Sequence, residues 1–181
     1  MGRLTEGSNP SPSAARAIIR PVDDHEAMGL ALEEAARATA HGDVPVGAVV
    51  LGPDGTVVAR RHNEREVAAD PTAHAEILAL RDAATTLGSW RLTGCALVVT
   101  LEPCLMCAGA AVAARLARVV FATPDPKGGA AGSLYNVCCD PRLNWEPAVV
   151  PGVRAEEAST QLSAFFSGMR TRSDQETTFE T

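Results

Sequence analysis

Two stretches decide how this chain folds, Thr72-Ala73-His74-Ala75-Glu76 and Glu102-Pro103-Cys104-Leu105-Met106-Cys107. Each is predicted to form the start of a helix. Thr72 is a suitable N-cap for the apolar periodic run that follows it, and Gly88 is a suitable C-terminal stop. Pro103 suits a first helical position, where its missing N–H is not needed. The rest of the chain is therefore organised around two helix N-termini.

The residue types at these two helix starts predict a zinc site. Cys104 and Cys107 stand three residues apart, so a helix places both thiols on one face, where they can bind one ion. A helix N-terminus favours thiolates, and His74 supplies a third, neutral ligand. Zinc with three protein ligands keeps a fourth position open, which is typical of catalytic sites. Glu76 then lies close to the metal without being needed as a ligand, and it can carry a proton.

Two alternatives compete with a catalytic zinc site. A Cys-x-x-Cys pair is also found in structural zinc sites, and two cysteines can simply be buried. A non-enzymatic, zinc-stabilised RNA-binding module is the corresponding functional alternative. Glu76 counts against it, because a structural site needs no acid–base residue and usually closes its fourth position with protein. The combination of His-x-Glu and Pro-Cys-x-x-Cys therefore favours an enzyme.

Length and composition indicate one globular domain. The chain has 181 residues, of which 46% are hydrophobic, enough for a sizeable core. The apolar run 108–114 ends at Arg115, far short of the roughly 20 residues that a membrane span needs. We expect no membrane association and no signal peptide, since the N-terminus lacks an apolar segment. Five cysteines, two of them in a metal-binding pattern, favour the reducing cytoplasm over a disulfide framework.

The charge distribution is compatible with a local RNA contact. The net charge of −6 counts against indiscriminate binding of nucleic acid. Between residues 58 and 145, however, nine Lys and Arg stand against eight Asp and Glu. The acidity is concentrated in the first predicted helix and near the C-terminus. The part of the chain that holds the predicted site is therefore nearly neutral.

Hydrophobic periodicity predicts an α/β fold with three α-β-α layers and a five-stranded sheet. We predict disordered ends at 1–22 and 171–181, with a single domain over 23–170 between them. The predicted elements, in order, are a helix over 24–40, strands over 44–51 and 56–60, a helix over 72–88, a strand over 96–101, a helix over 103–116, strands over 118–122 and 147–153, and a helix over 155–169. Phe165 and Phe166 are predicted to be core residues first, with base stacking as the alternative.

From about residue 27 to 170 the chain resembles the bacterial tRNA-specific adenosine deaminases. The resemblance includes the zinc signature and extends to the stretches 43–49, 70–76, 99–110 and 129–134. The zinc residues alone are shared with guanine and cytosine deaminases, so deamination of a free base or nucleoside stays open as the alternative. The loop from Lys127 to Ser133 and the Pro-Val-Gly strand favour the tRNA enzymes.

The resemblance implies a cytidine-deaminase-like fold with a mixed sheet, one zinc ion per chain and a cytoplasmic homodimer. It implies that the wobble adenosine of a tRNA anticodon stem-loop is converted to inosine by zinc-activated water. Asn63 would hydrogen-bond the flipped base, Pro45 and Val46 would form walls of the pocket, and Asp125 would lie near the RNA backbone.

Two departures from the resemblance concern RNA binding rather than chemistry. The stretch Thr123-Pro124-Asp125-Pro126 has two prolines where relatives often carry a small residue and an arginine. The last helix runs into acidic residues, Asp174, Glu176 and Glu180, where some relatives are basic. We therefore expect the catalytic groups to be unaffected and the RNA contacts to differ.

Overall fold

The computed structural model describes residues 21–178, and their side chains through Arg170. Residues 1–20 and 179–181, which belong to the predicted disordered ends, lie outside the described residues. The helices are α1 (Asp24–Ala38), α2 (Arg65–Ala68), α3 (Ala75–Leu87), α4 (Leu105–Ala113) and α5 (Ala155–Thr178), with a 3₁₀ turn at Thr39–His41. The strands are β1 (Gly47–Leu51), β2 (Val57–His62), β3 (Ala96–Leu101), β4 (Arg118–Thr123) and β5 (Ala148–Pro151).

The five strands form one mixed sheet in the order β2-β1-β3-β4-β5. Strand β1 runs antiparallel to β2 and β3, whereas β3, β4 and β5 are parallel to one another. Strands β1, β3 and β4 are almost entirely buried, as expected for strands covered by helices on both faces. The predicted five-stranded sheet is confirmed.

Alternate side chains along the strands enter two separate cores. Val49 and Val98 pack with residues of α1 and α5. Val50 and Leu97, their neighbours in sequence, pack with residues of α3 and α4 on the opposite face. This alternation follows from the period of two in a strand. The predicted three-layer α-β-α arrangement is therefore confirmed, with α3 and α4 together on one face.

Helix α1 crosses β1 with almost no space between the backbones. A Cβ atom at Gly47 would overlap the carbonyl oxygen of Ala31 and lie 2.5 Å from the Ala35 nitrogen. The Gly47 N–H donates to the Thr100 hydroxyl across the sheet, at 3.1 Å. Glycine is required here because the backbones of β1 and α1 approach too closely for a side chain.

Three features of the fold differ from the sequence-based expectations. The short helix α2 and the 3₁₀ turn were not predicted, because one or two turns have too few residues for a periodic pattern. Helix α5 continues to Thr178 instead of ending near Met169. Val22, assigned to the N-terminal extension, donates its N–H to the Gly55 carbonyl and packs against the core. Within residues 21–178, none of the helices combines the length and the apolarity that crossing a membrane requires.

Candidate active site

His74 is the N-cap of helix α3 and not, as predicted, a residue of its first turns. The helix begins at Ala75, and the His74 backbone is extended. Thr72 was expected to be the N-cap, but its N–H and its hydroxyl both donate to the Asp70 carboxylate at 2.7 Å. This local turn competes with helix formation, as aspartate side chains often do. The predicted stop is confirmed, since Gly88 ends the helix in a left-handed conformation.

The two cysteines lie at the start of helix α4. Cys104 is its N-cap, just outside the helix in which it was predicted to lie, and Cys107 lies in the first turn. Pro103 was expected at the first helical position, but it precedes the helix. Its carbonyl accepts the N–H of Ala130 at 2.8 Å, which ties it into an extended segment. The predicted ligands His74 and Cys104 are thus the N-caps of two different helices, α3 and α4.

The ligand atoms of His74, Cys104 and Cys107 have the separations of a metal site. The Nδ1 atom of His74 lies 3.7 Å from the Cys104 Sγ and 3.6 Å from the Cys107 Sγ. All three atoms lie within 4.8 Å of one another. Tetrahedral zinc, with bonds of about 2.3 Å to sulfur and about 2.05 Å to nitrogen, separates these atoms by about 3.6 Å. The three residues therefore fit a zinc ion.

The chemistry of the two thiols also fits a divalent cation. The hydrogen bond with Cys107 lowers the pKa of the Cys104 thiol to about 4. The same hydrogen bond, together with burial, raises the pKa of Cys107. Two thiols this close oppose each other's ionisation when they stand alone. A zinc ion resolves this opposition, because it pairs with two thiolates at once.

Glu76 lies in the first turn of α3, next to the ligand atoms, and only 4% of its surface is exposed. Burial raises the pKa of its carboxyl group above the ordinary value. Burial disfavours the charged form of an acid, and here it outweighs the interactions that favour ionisation. Glu76 is thus a carboxyl group that accepts a proton more readily than a solvent-exposed glutamate does.

A cavity of about 130 Å³ lies directly over these groups. Of the predicted substrate-binding residues, it includes Asn63, Val46 and Asp125 in its wall. Pro45 instead lines a neighbouring groove between α1 and α5. The complete lining is Val44, Val46, Asn63, Arg65, His74, Glu76, Leu101, Glu102, Cys104 and Asp125. The predicted residues in this lining, Val46, Asn63, His74, Glu76, Cys104 and Asp125, come from five separate parts of the chain.

Sequence reasoning missed two charged residues of this cavity, Arg65 and Glu102. Arg65 is exposed and belongs to α2, the short helix that periodicity does not detect. Glu102 is the first residue of the cysteine stretch, and only 2% of its surface is exposed. The available signal was its position at the end of a predicted buried strand, directly before Pro103. An acidic side chain buried at such a position needs hydrogen-bond donors around it.

A larger groove of about 700 Å³ continues from the cavity along α5. Val44, Leu101 and Asp125 line both spaces, so the groove lies directly beside the cavity. The far side of the groove carries Phe166 and Arg170 of α5. Phe166 is 44% exposed, so the expectation that it is a core residue is wrong. Helix α5 packs on the sheet near its start, whereas its later turns leave this aromatic ring open to solvent.

Comparison with known proteins agrees with this geometry. Residues 21–123 match the cytidine and deoxycytidylate deaminase zinc-binding region. The tRNA-specific adenosine deaminase of Bacillus subtilis (strain 168) is 48% identical over 143 residues, which cover 79% of this chain and 88% of that protein. A solved structure from work on A-to-I editing by tRNA:A34 deaminases at the wobble position has 43% identity and a TM-score of 0.72, covering 75% of this chain and 98% of that chain.

Guanine deaminase from Nitrosomonas europaea is less similar. Its solved structure has 25% identity and a TM-score of 0.66, and the match covers 91% of this chain and 98% of that chain. The predicted cytidine-deaminase-like fold is therefore confirmed, together with the zinc-binding character of the site. The chain belongs to the cytidine and deoxycytidylate deaminase zinc-binding family and, within it, to the tRNA-specific adenosine deaminases.

Proposed function

We propose that this protein converts the wobble adenosine of a tRNA anticodon stem-loop to inosine by hydrolytic deamination. One observation carries the proposal: the cavity over the ligand atoms shares three lining residues with a groove that has an exposed aromatic ring and basic side chains. Single-stranded RNA binds in such grooves through base stacking and phosphate contacts. A free base would fill the cavity and leave the groove without a role.

The reaction adds water to adenosine and releases ammonia. His74, Cys104 and Cys107 would hold the zinc ion, which would activate a water molecule for attack on the ring carbon that carries the amino group. Glu76 would accept one proton from this water and pass it to the ring nitrogen, then accept the second proton from the hydroxyl on the attacked carbon and pass it to the amine, which leaves as ammonia. Its burial excludes bulk water and raises its affinity for a proton in transit.

The remaining cavity residues hold the base in place. Asn63 is buried at 5% exposure and lines the same cavity as His74 and Cys104, where an amide can both donate to and accept from a base edge. Val46 and Leu101 form apolar walls. Asp125 stands where the cavity meets the groove, a suitable place for a contact with the sugar or backbone. The target base must leave the anticodon stack, which costs least in a single-stranded loop.

We further propose that the working unit is a cytoplasmic homodimer. An apolar groove of about 320 Å³ lies between α3 and α4, with Ala113 in its lining and Trp90, 55% exposed, at its edge. Leu105, at the start of α4, is 54% exposed. Apolar surface of this kind is typical of an interface between protein chains. None of the five cysteines forms a disulfide, as is expected in a reducing cytoplasm.

The homodimer can be tested by sedimentation velocity at micromolar concentration. We expect a species of twice the 18.8 kDa of one chain. Ala113→Glu should shift it towards the monomer, because a carboxylate would be buried in the apolar interface. Val67→Glu, at an exposed apolar position on α2, is the matched control and should leave the dimer intact. A parent protein that sediments as a monomer would contradict the dimer.

The substrate can be tested by incubating the zinc-loaded protein separately with an anticodon stem-loop, guanine and cytosine. We expect ammonia release and inosine formation with the stem-loop, and no ammonia from guanine or cytosine. A stem-loop carrying guanosine at the wobble position is the matched RNA control and should yield no ammonia. Deamination of guanine without deamination of the stem-loop would overturn the proposal in favour of a free-base enzyme.

Asn63→Ala should slow deamination of the stem-loop by about 30-fold, because the base edge is left without its partner inside the cavity. Zinc content should stay at one ion per chain, since Asn63 is not among the three residues positioned to bind metal. Asn144→Ala, an exposed asparagine outside the cavity lining, is the control and should react at the parent rate. Equal rates for the two variants would remove Asn63 from substrate binding.

RNA affinity should depend only weakly on salt. Three cations border the proposed RNA path, Arg65 at the cavity and Lys127 and Arg170 in the groove. Each phosphate neutralised in a single strand contributes about −0.7 to the slope of log K against log salt, so we expect a slope near −2. Lys127→Ala should reduce the magnitude of this slope by about 0.7. Arg142→Ala, which removes an exposed arginine already paired with Asp140, should not change it.

A further inference from the structure

One buried carboxylate joins the metal-binding turn to the loop on the other side of the cavity. The Oε1 atom of Glu102 accepts the N–H groups of Ala131 at 3.0 Å and Ser133 at 2.9 Å. Its Oε2 atom accepts the N–H of Asp125 at 3.0 Å and the hydroxyl of Ser133. Both oxygens are therefore occupied by donors from residues 23 to 31 positions further along the chain.

The loop over residues 125–133 is shaped around this carboxylate. Gly129 lies so close that a Cβ atom there would overlap the Glu102 side chain. The Gly129 N–H donates to the Asp125 carbonyl at 2.8 Å, which closes a turn within the loop. Gly129 also forms an isolated bridge with Cys104. Burying an ionised carboxylate is costly unless it is hydrogen-bonded. The four donors therefore stabilise the buried Glu102 carboxylate, and the carboxylate in turn stabilises the loop conformation that presents them.

The loop carries two side chains towards the proposed RNA path. Asp125 borders both the cavity and the groove, and Lys127 lines the groove. The Asp125 backbone is held directly by Glu102, and the Lys127 N–H donates to the Asp125 carboxylate at 2.9 Å. The placement of both side chains thus depends on one hydrogen-bonded group that lies beneath the loop.

We propose that Glu102 is a positioning residue for substrate binding: it holds the 125–133 loop in the conformation that presents Asp125 and Lys127 to the RNA. This inference rests on the proposed function. Glu102 acts through the loop and takes no part in proton transfer, because its two oxygens already accept four hydrogen bonds. Proton transfer stays with Glu76 on the other helix start.

Glu102→Gln tests the inference with little change in size. The side-chain amide replaces one acceptor oxygen with an NH₂ group, which must face at least one backbone N–H of the loop. We expect KM for the stem-loop to rise about tenfold, with kcat within about twofold of the parent and zinc content unchanged. Amide hydrogen exchange at Asp125, Ala131 and Ser133 should become faster, while exchange in strands β1 and β3 stays as in the parent.

Two further variants separate positioning from general stability. Glu34→Gln makes the same change at a carboxylate that is equally buried but bound by side chains, those of Arg37, Arg60 and His62. It should leave KM and loop exchange unchanged even where it lowers the melting temperature. Ser133→Ala removes only the hydroxyl donor and should raise KM about threefold, which keeps the inference testable where Glu102→Gln does not fold.

The outcomes distinguish this inference from the proposed function. A parent protein that fails to deaminate the stem-loop would defeat the proposed function, whatever the loop does. Unchanged loop exchange and unchanged KM in Glu102→Gln, beside an active parent, would defeat the inference alone. Joint loss of zinc and kcat in Glu102→Gln would also overturn it, because Glu102 would then support the metal-binding turn rather than the substrate loop.

Discussion

Glu76→Gln is expected to reduce deamination of the anticodon stem-loop by about 10³-fold while leaving zinc and fold in place. General acid–base groups typically contribute 10²–10⁴-fold, and here one carboxylate serves several proton transfers in the same turnover. The amide has the same size and fills the same buried position, so the packing around it stays intact. It cannot accept a proton from water or deliver one to the leaving amine. The loss should therefore appear in kcat rather than in KM.

The comparison variant for Glu76→Gln is Glu33→Gln on α1. Glu33 is exposed and pairs with Arg60 on the surface, so its amide variant should retain parent activity. Zinc content, measured on both purified proteins, should be one ion per chain in each. Turnover by Glu76→Gln at more than about a tenth of the parent rate would assign the proton transfers to another group.

The metal-binding residues could be predicted from the sequence because their spacing is local. A separation of three residues places Cys104 and Cys107 on one face in any helix. The His-x-Glu motif places Glu76 two residues after His74, so the proton carrier stays close to the ligand. The exact helix starts could not be predicted in the same way. Thr72 is a good N-cap by residue type, yet Asp70 competes for its hydrogen bonds.

The residues of the cavity wall were harder to predict from the sequence, because tertiary structure decides which of them meet. Asn63 was named only through a family resemblance, and it reaches the cavity because its N–H pairs with Val46 across the sheet. Pro45 was assigned to the wall with Val46, but neighbouring residues of an extended chain point to opposite sides. The role of Glu102 rests on hydrogen bonds to residues far along the chain, which no local pattern encodes.

Cys107→Ser is expected to remove most of the zinc and to lower the melting temperature by about 10 °C. A ligand present at about a thousand times its dissociation constant stabilises the folded state by about 4 kcal/mol. In a chain of this size each kcal/mol corresponds to about 2–4 °C. Cys107 is fully buried in the first turn of α4, so the shorter serine side chain cannot move to recover the bond. Deamination should be lost with the zinc.

Cys138→Ser separates loss of the metal from the cost of a buried hydroxyl. Cys138 is also fully buried but is not among the residues positioned to bind metal, so its variant should keep one zinc ion per chain. Any fall in its melting temperature measures the packing cost alone, which can be subtracted from that of Cys107→Ser. Adding a chelator to Cys138→Ser should then lower its melting temperature close to that of Cys107→Ser, because both proteins lack zinc. Full zinc occupancy in Cys107→Ser would show that Cys107 is not a ligand, whatever the melting temperatures.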